Sequence, residues 1–284
     1  MRPGSAAGMA ALKVAGRAAA GLVVSLAVVL LLWVALLKVF NISPFVGKGP
    51  LDVFNFLFSV PAAQNNRQVI LQNLGQTMVD TFLGFAAGLV GAVVIAGVFV
   101  LFRGVENALM PVAMLLRSVP LVALAPIIIL IFGRQEPAVA AIGGIVVLFP
   151  ALVTIVFGLR SASPAMLEVI DVYGGSRWTA IDIDDSSRWT ALLKVALPSS
   201  LPAFFTAVKV SIPGAITGAL LAEWLATGKG IGYAIISAVS RARNNEVWAS
   251  VVVITLVSII LYTVVALLEE AMLRRSGQAP STSG

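Results

Sequence analysis

Few residues of this chain can carry out covalent chemistry. Its 284 residues include no histidine and no cysteine, which removes the commonest general base and the usual metal ligands. Glu168 is a candidate catalytic carboxylate, but no paired acid or histidine accompanies it. The segment Gly228-Lys229-Gly230 lacks the first glycine and the hydroxyl of a phosphate-binding loop. The sequence therefore disfavours a hydrolase, a metalloenzyme or an ATPase, and it predicts no catalytic residue and no metal site.

Four residues in apolar surroundings are candidates for a translocation path or gate. Lys209 lies within an apolar run, where a charge is costly and often functional; it would suit an anionic substrate, although lysine can also extend to the interface. Glu223 precedes a glycine-rich segment, where it either orders a gate or is a plain interfacial acid. Pro120 and Pro126 interrupt another apolar run, and the carbonyls that they free either line a path or are satisfied by packing.

The polar stretch of residues 158–197 separates two strongly apolar runs, which predicts a loop at a membrane surface. It contains more local structure than a solvated loop needs. A predicted helix carries Glu168, a glycine pair then permits a sharp turn, and a Leu-Pro pair restarts a helix in a position that tolerates proline. The residues that we assign to this structured loop are Glu168, Asp171, Tyr173, Gly174, Gly175, Leu197 and Pro198.

The loop contains a tandem repeat. Ser-Arg-Trp-Thr-Ala begins at Ser176 and again at Ser187, an offset of 11 residues. We interpret residues 176–186, or equivalently 181–191, as an insertion. A period of 11 residues is close to three helical turns, so a helical insert adds about 16 Å and keeps the following face in phase. We expect it to protrude into the cytosol without disturbing the membrane helices; the alternative is a duplication without function.

Composition places the chain in a membrane. Apolar residues make up 59% and charged residues 11%, with a mean hydropathy of +1.01, whereas soluble domains carry about 25% charged residues. The first apolar run is too long for a cleaved signal peptide. We expect a cytosolic tail over 1–17, one membrane domain over 18–270 and a disordered tail over 271–284. The predicted spans cover about 18–40, 76–102, 108–132, 137–157, 198–222 and 247–268.

The ordered loop resembles the cytoplasmic "EAA" loop of ABC importer permeases. Glu168, Gly174 and Leu197-Pro198 stand for the residues of that pattern. The 24 residues from Gly174 to Pro198 exceed the family spacing by one repeat. The phrases 117–126 and 222–233 are similar to the nitrate, sulfonate and taurine branch. The resemblance implies an all-α integral membrane protein with six transmembrane helices and the type I, MetI-like permease fold.

The resemblance also implies a function and a set of partners. The chain would move a small solute into the cytoplasm by alternating access. We expect an anion like nitrate, a sulfonate or taurine, although a small heterocyclic vitamin precursor is also compatible. A separate ABC ATPase would hold ATP and Mg, leaving no cofactor on this chain, and its groove would accept the loop. An extracytoplasmic substrate-binding protein and a second permease copy, forming a homodimer in the lipid bilayer, complete the assembly; no nucleic acid partner is expected.

Six spans place both termini on one side of the membrane. With the loop in the cytosol, the inner segments contain more lysine and arginine than the outer ones, as the positive-inside rule requires. We therefore expect a multi-pass protein of the bacterial inner membrane with cytoplasmic termini. The alternative is a stand-alone ion-coupled secondary transporter, which typically has inverted repeats and buried mid-membrane acids. No such repeat is found, and Asp80 is predicted near a helix end.

Overall fold

The computed structural model describes residues 24–160 and 196–275, and within these ranges every regular element is helical. Four of the described helices are long and apolar enough to cross a membrane: Ala63–Leu101, Glu136–Arg160, Leu201–Thr227 and Asn244–Leu273. The helices, numbered in chain order, are α1 Val24–Val39, α2 Pro50–Phe54, α3 Ala63–Leu101, α4 Arg103–Ser118, α5 Leu121–Phe132, α6 Glu136–Arg160, α7 Leu201–Ala222, α8 Gly230–Ser240 and α9 Asn244–Arg275.

Two boundaries differ from the sequence-based expectation. The helix predicted to begin near residue 76 begins at Ala63, because its polar first turns are compatible with a helix although they lie outside the apolar run. The helix predicted over 108–132 is two helices, α4 and α5. The break falls at Pro120, which has extended backbone (φ −61°, ψ 117°), because proline lacks an N–H and disfavours helical geometry in the residue before it.

Contacts within the chain divide it into two compact units. The first unit comprises the residues up to Gln68 together with Ala238–Ala249. Its described part contains a stacked pair of indole rings, Trp33 and Trp248, whose centroids lie 5.5 Å apart. The Trp248 Nε1 atom donates a hydrogen bond to the carbonyl of Val46 at 2.9 Å. These contacts fix the loop after α1 against the first turns of α9.

The second unit comprises Val69–Ser237 and the chain from Ser250 onward. Its centre is α6, which buries residues along its whole length and has its most extensive contact with α7. The closest approach occurs at glycines: a Cβ built on either Gly84 of α3 or Gly218 of α7 would lie 2.8 Å from the Cα of Gly143 in α6. Small residues at a crossing let membrane helices approach closely. Gly143 therefore lies where three helices meet.

Candidate functional site

The two ends of the loop meet at its base. Gly158, in the last turn of α6, faces the chain that re-enters at α7: a Cβ on Gly158 would overlap Ala203 and lie 3.6 Å from the Cβ of Ser200. Leu197 and Pro198 form a short helical turn just before α7. The loop therefore leaves and re-enters the helices at one place. The other predicted loop residues, Glu168, Asp171, Tyr173, Gly174 and Gly175, and the repeat over 176–186 lie outside the described residues.

An ion pair stabilises the base of the loop. Arg160, the last residue of α6, pairs through Nη2 with the Oε2 atom of Glu106 in the first turn of α4. The Glu106 side chain is buried, whereas 42% of the Arg160 side chain is exposed. A pair with one buried carboxylate is costly to break from one side, because the remaining charge loses its partner. The pair thus ties α4 to the end of α6 from which the loop departs.

Glu223 begins a polar cluster at the other end of α7. It is fully buried and starts a π turn that Gly228 ends. Its Oε2 atom accepts a hydrogen bond from the amide of Gly232 at 2.7 Å. Gly230 has φ +81°, and a Cβ there would overlap the Glu223 carboxylate. The glycine-rich segment of residues 228–232 therefore allows the backbone to pass close to the Glu223 carboxylate.

Asp80 of α3 faces the same carboxylate. Asp80 is buried, and its carboxyl lies within hydrogen-bonding reach of Glu223. Gln76 donates to Oδ1 of Asp80 at 3.0 Å, whereas no donor among the described groups reaches Oδ2 of Asp80 or Oε1 of Glu223. Thr77 completes the cluster, because its hydroxyl accepts from the Ile231 amide at 2.9 Å. Asp80 thus lies in the middle of α3, and the prediction that it lies near a helix end is wrong.

Lys209 is paired with an acid. Its Nζ atom contacts Oε2 of Glu269, which lies near the end of α9 and is buried. The pair neutralises the lysine and links α7 to α9. Lys209 is therefore not a free cation in this structure. The expectation that it contacts an anionic substrate stays a prediction.

The two prolines predicted in the path occupy different positions. Pro120 is exposed at the junction of α4 and α5, and Pro126 is exposed inside α5. Their neighbours Ala125 and Ile128 face the protein interior and pack in a cluster with Ala222 of α7. The helix that contains Pro126, α5, contacts the turn that Glu223 begins. The role of both prolines in a path stays a prediction.

Sequence reasoning missed three partners, Asp80 for Glu223, Glu106 for Arg160 and Glu269 for Lys209. The signal for the first was present: Asp80 and Glu223 are acids in apolar helices, and a buried acid needs a partner. Thr77, which lies on the same helical face as Asp80 three residues earlier, strengthens that signal. None of these pairings follows from spacing, because the partners are distant in the sequence. In the described part of the chain, no group of three or more acidic side chains could hold a metal ion.

The packed apolar helices indicate an integral membrane protein, and comparison with known proteins gives its family. Residues 84–277 match the family described as binding-protein-dependent transport system inner membrane component. The chain belongs to this family. The matched region includes every helix from the Gly84 crossing to the end of α9.

Relatives agree with this family. A probable ABC transporter permease protein of Haemophilus influenzae is 24% identical over 83% of this chain and 89% of its own length. The formylaminopyrimidine transport permease protein ThiX of Halalkalibacterium halodurans is 24% identical over 73% of this chain and 79% of its own. A putative aliphatic sulfonates transport permease protein, SsuC of Bacillus subtilis, is 28% identical over 68% and 66%. Nitrate and taurine permeases are also among its relatives.

These findings confirm the predicted family, the all-α membrane fold and the function as a permease of an ABC importer. The stand-alone carrier is not favoured. The family is a transport component and not a catalytic enzyme. Its inner-membrane description agrees with a multi-pass protein of that membrane.

Proposed function

We propose that this chain is the membrane subunit of an importer that moves a small anion into the cytoplasm, driven by a separate ATPase that docks on the loop of residues 158–197. Two copies form the membrane part as a homodimer, and an extracytoplasmic binding protein delivers the solute. ATP and Mg belong to the ATPase. Both termini and the loop face the cytoplasm.

The observation that carries this proposal is the joined base of the loop. Gly158 of α6 packs on the start of α7, and Arg160 is paired with Glu106 of α4. A force on the loop would therefore reach α4, α6 and α7 together. Because α6 and α7 are extensively packed against each other, they would move as one body. Rigid-body movement of packed helices is one of the established ways in which binding at one site opens another.

The cluster around Glu223 attaches α7 to the rest of the helices at the end opposite the loop. It joins α3 to the turn between α7 and α8 through Asp80, Thr77 and the glycine-rich segment. With the loop in the cytosol, this turn lies toward the outer side, since α7 runs away from the loop. We propose that the cluster orders the outer gate. It keeps the turn attached to α3 while the loop transmits movement at the opposite end of α7.

The choice of an anion rests on the sulfonate, nitrate and taurine permeases among the relatives. The formylaminopyrimidine relative supports a heterocyclic solute instead. Lys209 is neutralised by Glu269, so we assign most of the selectivity to the binding protein. Competition of taurine, an alkanesulfonate, nitrate and a formylaminopyrimidine for uptake by the complete complex distinguishes the two classes.

Coupling through the loop base is tested by Glu106→Gln in the reconstituted complex. The exchange keeps the side-chain size but removes the charge that holds Arg160. We expect solute uptake per ATP hydrolysed to fall several-fold while the complex still assembles. Arg103→Gln is the matched control, because Arg103 is an exposed charge in the same turn of α4. An unchanged ratio for Glu106→Gln would contradict transmission through this pair.

Orientation can be tested directly because the chain has no cysteine. A single cysteine introduced at Ser43, Ser163 or Ser276 is then the only thiol in the protein. A membrane-impermeant maleimide added to intact cells should label Ser43→Cys and leave the other two unlabelled until the membrane is opened. The reverse pattern would place the loop and the C-terminus outside.

A further inference from the structure

The first unit contains a cavity that the transport mechanism does not use. It has a volume of about 370 Å³. The cavity is framed by the loop after α1, the turn after α2, the first turn of α3 and the chain between α8 and α9. Its polar lining includes Lys48, Asn66, Arg243, Asn244 and Glu246.

The lining carries a net positive charge. Lys48 and Arg243 contribute two cations and Glu246 one anion. Glu246 lies 3.6 Å from the Arg243 guanidinium, which leaves donors of that group available because a guanidinium has five N–H groups. Lys48 donates one hydrogen bond to the carbonyl of Pro44 at 2.7 Å, and an ammonium has two more hydrogens to donate. The cavity therefore offers donors and positive charge to an anion.

The walls are held by hydrogen bonds between side chains and backbone. Asn244 donates to the carbonyl of Phe45 at 2.6 Å, and Asn66 donates to the carbonyl of Phe56 at 2.9 Å. Ala242, which also lines the cavity, adopts φ +54°, a left-handed conformation that is unfavourable for a residue with a Cβ. Strain of this kind persists only where surrounding contacts impose it, and it is concentrated at functional sites. The cavity is thus a fixed feature of the unit.

Its surroundings are those of a membrane–water boundary. Asn244 and Asn66 lie at the polar starts of α9 and α3, both of which continue into apolar spans. The Trp33–Trp248 pair is beside the same loop, and tryptophan is enriched at membrane interfaces. Phe54 and Phe58, from α2 and the turn after it, expose more than half of their side-chain area. Such exposed aromatic side chains suit the headgroup–acyl boundary.

We propose that this cavity binds the phosphate of an anionic phospholipid, with Lys48 and Arg243 contacting the headgroup and the exposed phenylalanines contacting its acyl chains. A soluble phosphate ester would satisfy the two cations but would leave the exposed faces of Phe54 and Phe58 in water. The proposal depends only on the cavity lying at an interface. It does not depend on the direction of transport or on the ATPase.

The test measures lipid retention by the intact chain in detergent. Native mass spectrometry would count phosphatidylglycerol and phosphatidylcholine retained by wild type and by the double variant Lys48→Gln/Arg243→Gln. A cation near a membrane surface contributes roughly a fivefold gain in affinity for anionic lipid, so we expect a loss of about 25-fold for the double variant. Phosphatidylcholine should bind more weakly throughout.

Controls separate the charge effect from misfolding. Arg241→Gln removes an exposed cation next to the cavity that does not line it, and it should retain phosphatidylglycerol as wild type does. Lys48→Arg/Arg243→Lys keeps both charges and should restore retention. A loss in the charge-keeping variant equal to that in the glutamine variant would show that charge is not the cause and would overturn the proposal.

Three further outcomes would overturn it. Equal phosphatidylglycerol retention by wild type and the glutamine double variant would exclude the cavity as the lipid site. Inorganic phosphate binding as tightly as phosphatidylglycerol, with the same sensitivity to the variants, would make the ligand a soluble phosphate. Unchanged lipid retention together with weaker capture of the substrate-binding protein by the double variant would make the cavity an acidic-protein contact.

Discussion

The pairing of Asp80 with Glu223 predicts that glutamine, but not alanine, can replace Glu223. Two carboxyl groups can form a hydrogen bond only if one of them carries a proton. In Glu223→Gln, the carboxamide oxygen can accept from the Gly232 amide, and its N–H can donate to the free oxygen of Asp80. The two hydrogen bonds therefore survive, and we expect the free energy of unfolding to change by less than about 1 kcal/mol.

Glu223→Ala removes both bonds. The Gly232 amide and the Asp80 oxygen are then buried without partners, at a cost of about 1–3 kcal/mol each. The cavity left by the missing atoms adds to this cost, so the total is roughly 3–6 kcal/mol. For a chain of this size, such a loss lowers the melting temperature by about 10 °C or more.

The assay is thermal unfolding of the purified chain in detergent, followed by fluorescence of its five tryptophans. Arg103→Gln provides the control, because Arg103 is an exposed charge in the first turn of α4, away from the Glu223 cluster; its melting temperature should stay within a few degrees of wild type. If Glu223→Gln melts as low as Glu223→Ala, the shared-proton account is refuted. If both melt as wild type does, the cluster does not hold the turn to α3.

Three other predictions concern packing, charge and the repeat. Gly143→Ala should lower the melting temperature, because its Cβ would lie 2.8 Å from the Cα of Gly84. Gly97→Ala is the control: its Cβ would meet nothing within 4 Å, so it should raise the melting temperature slightly through helix propensity. Equal melting temperatures for the two variants would contradict the glycine crossing. Lys209→Met should destabilise by about 3 kcal/mol or more by leaving Glu269 unpaired, and adding Glu269→Met should recover most of the loss in the same unfolding assay. A chain lacking residues 176–186 should capture the ATPase on an affinity column as well as the full chain does, and capture only by the shortened chain would show that the repeat blocks docking.

Much of the fold follows from the sequence because membrane spans have a strong signal. The apolar runs predicted the cores of α6, α7 and α9, since every backbone group in lipid must be satisfied within a helix. Pro120 shows the limit of that signal. Hydropathy treats α4 and α5 as one apolar segment, whereas the local backbone preference of proline ends the helix there.

The site was less accessible to sequence reasoning. Gly84 and Gly88 have the four-residue spacing of a close-packing motif, but their partners Gly143 and Gly144 depend on how the helices cross. The sequence marks Glu223 as a candidate because this acid precedes a glycine-rich segment. Its burial and its pairing with Asp80 depend on tertiary structure, because the two residues come from distant helices. Periodicity identifies the face of a helix, but it does not identify the helix that covers that face.

The most direct test of the central claim is solute uptake into sealed proteoliposomes that contain this chain, with and without the ATPase and the binding protein. The account predicts uptake only when the ATPase, the binding protein and ATP are all present, and no uptake under an imposed proton or sodium gradient alone. Concentrative uptake by the chain alone under an ion gradient, with no effect of ATP, would contradict it and would identify a secondary transporter.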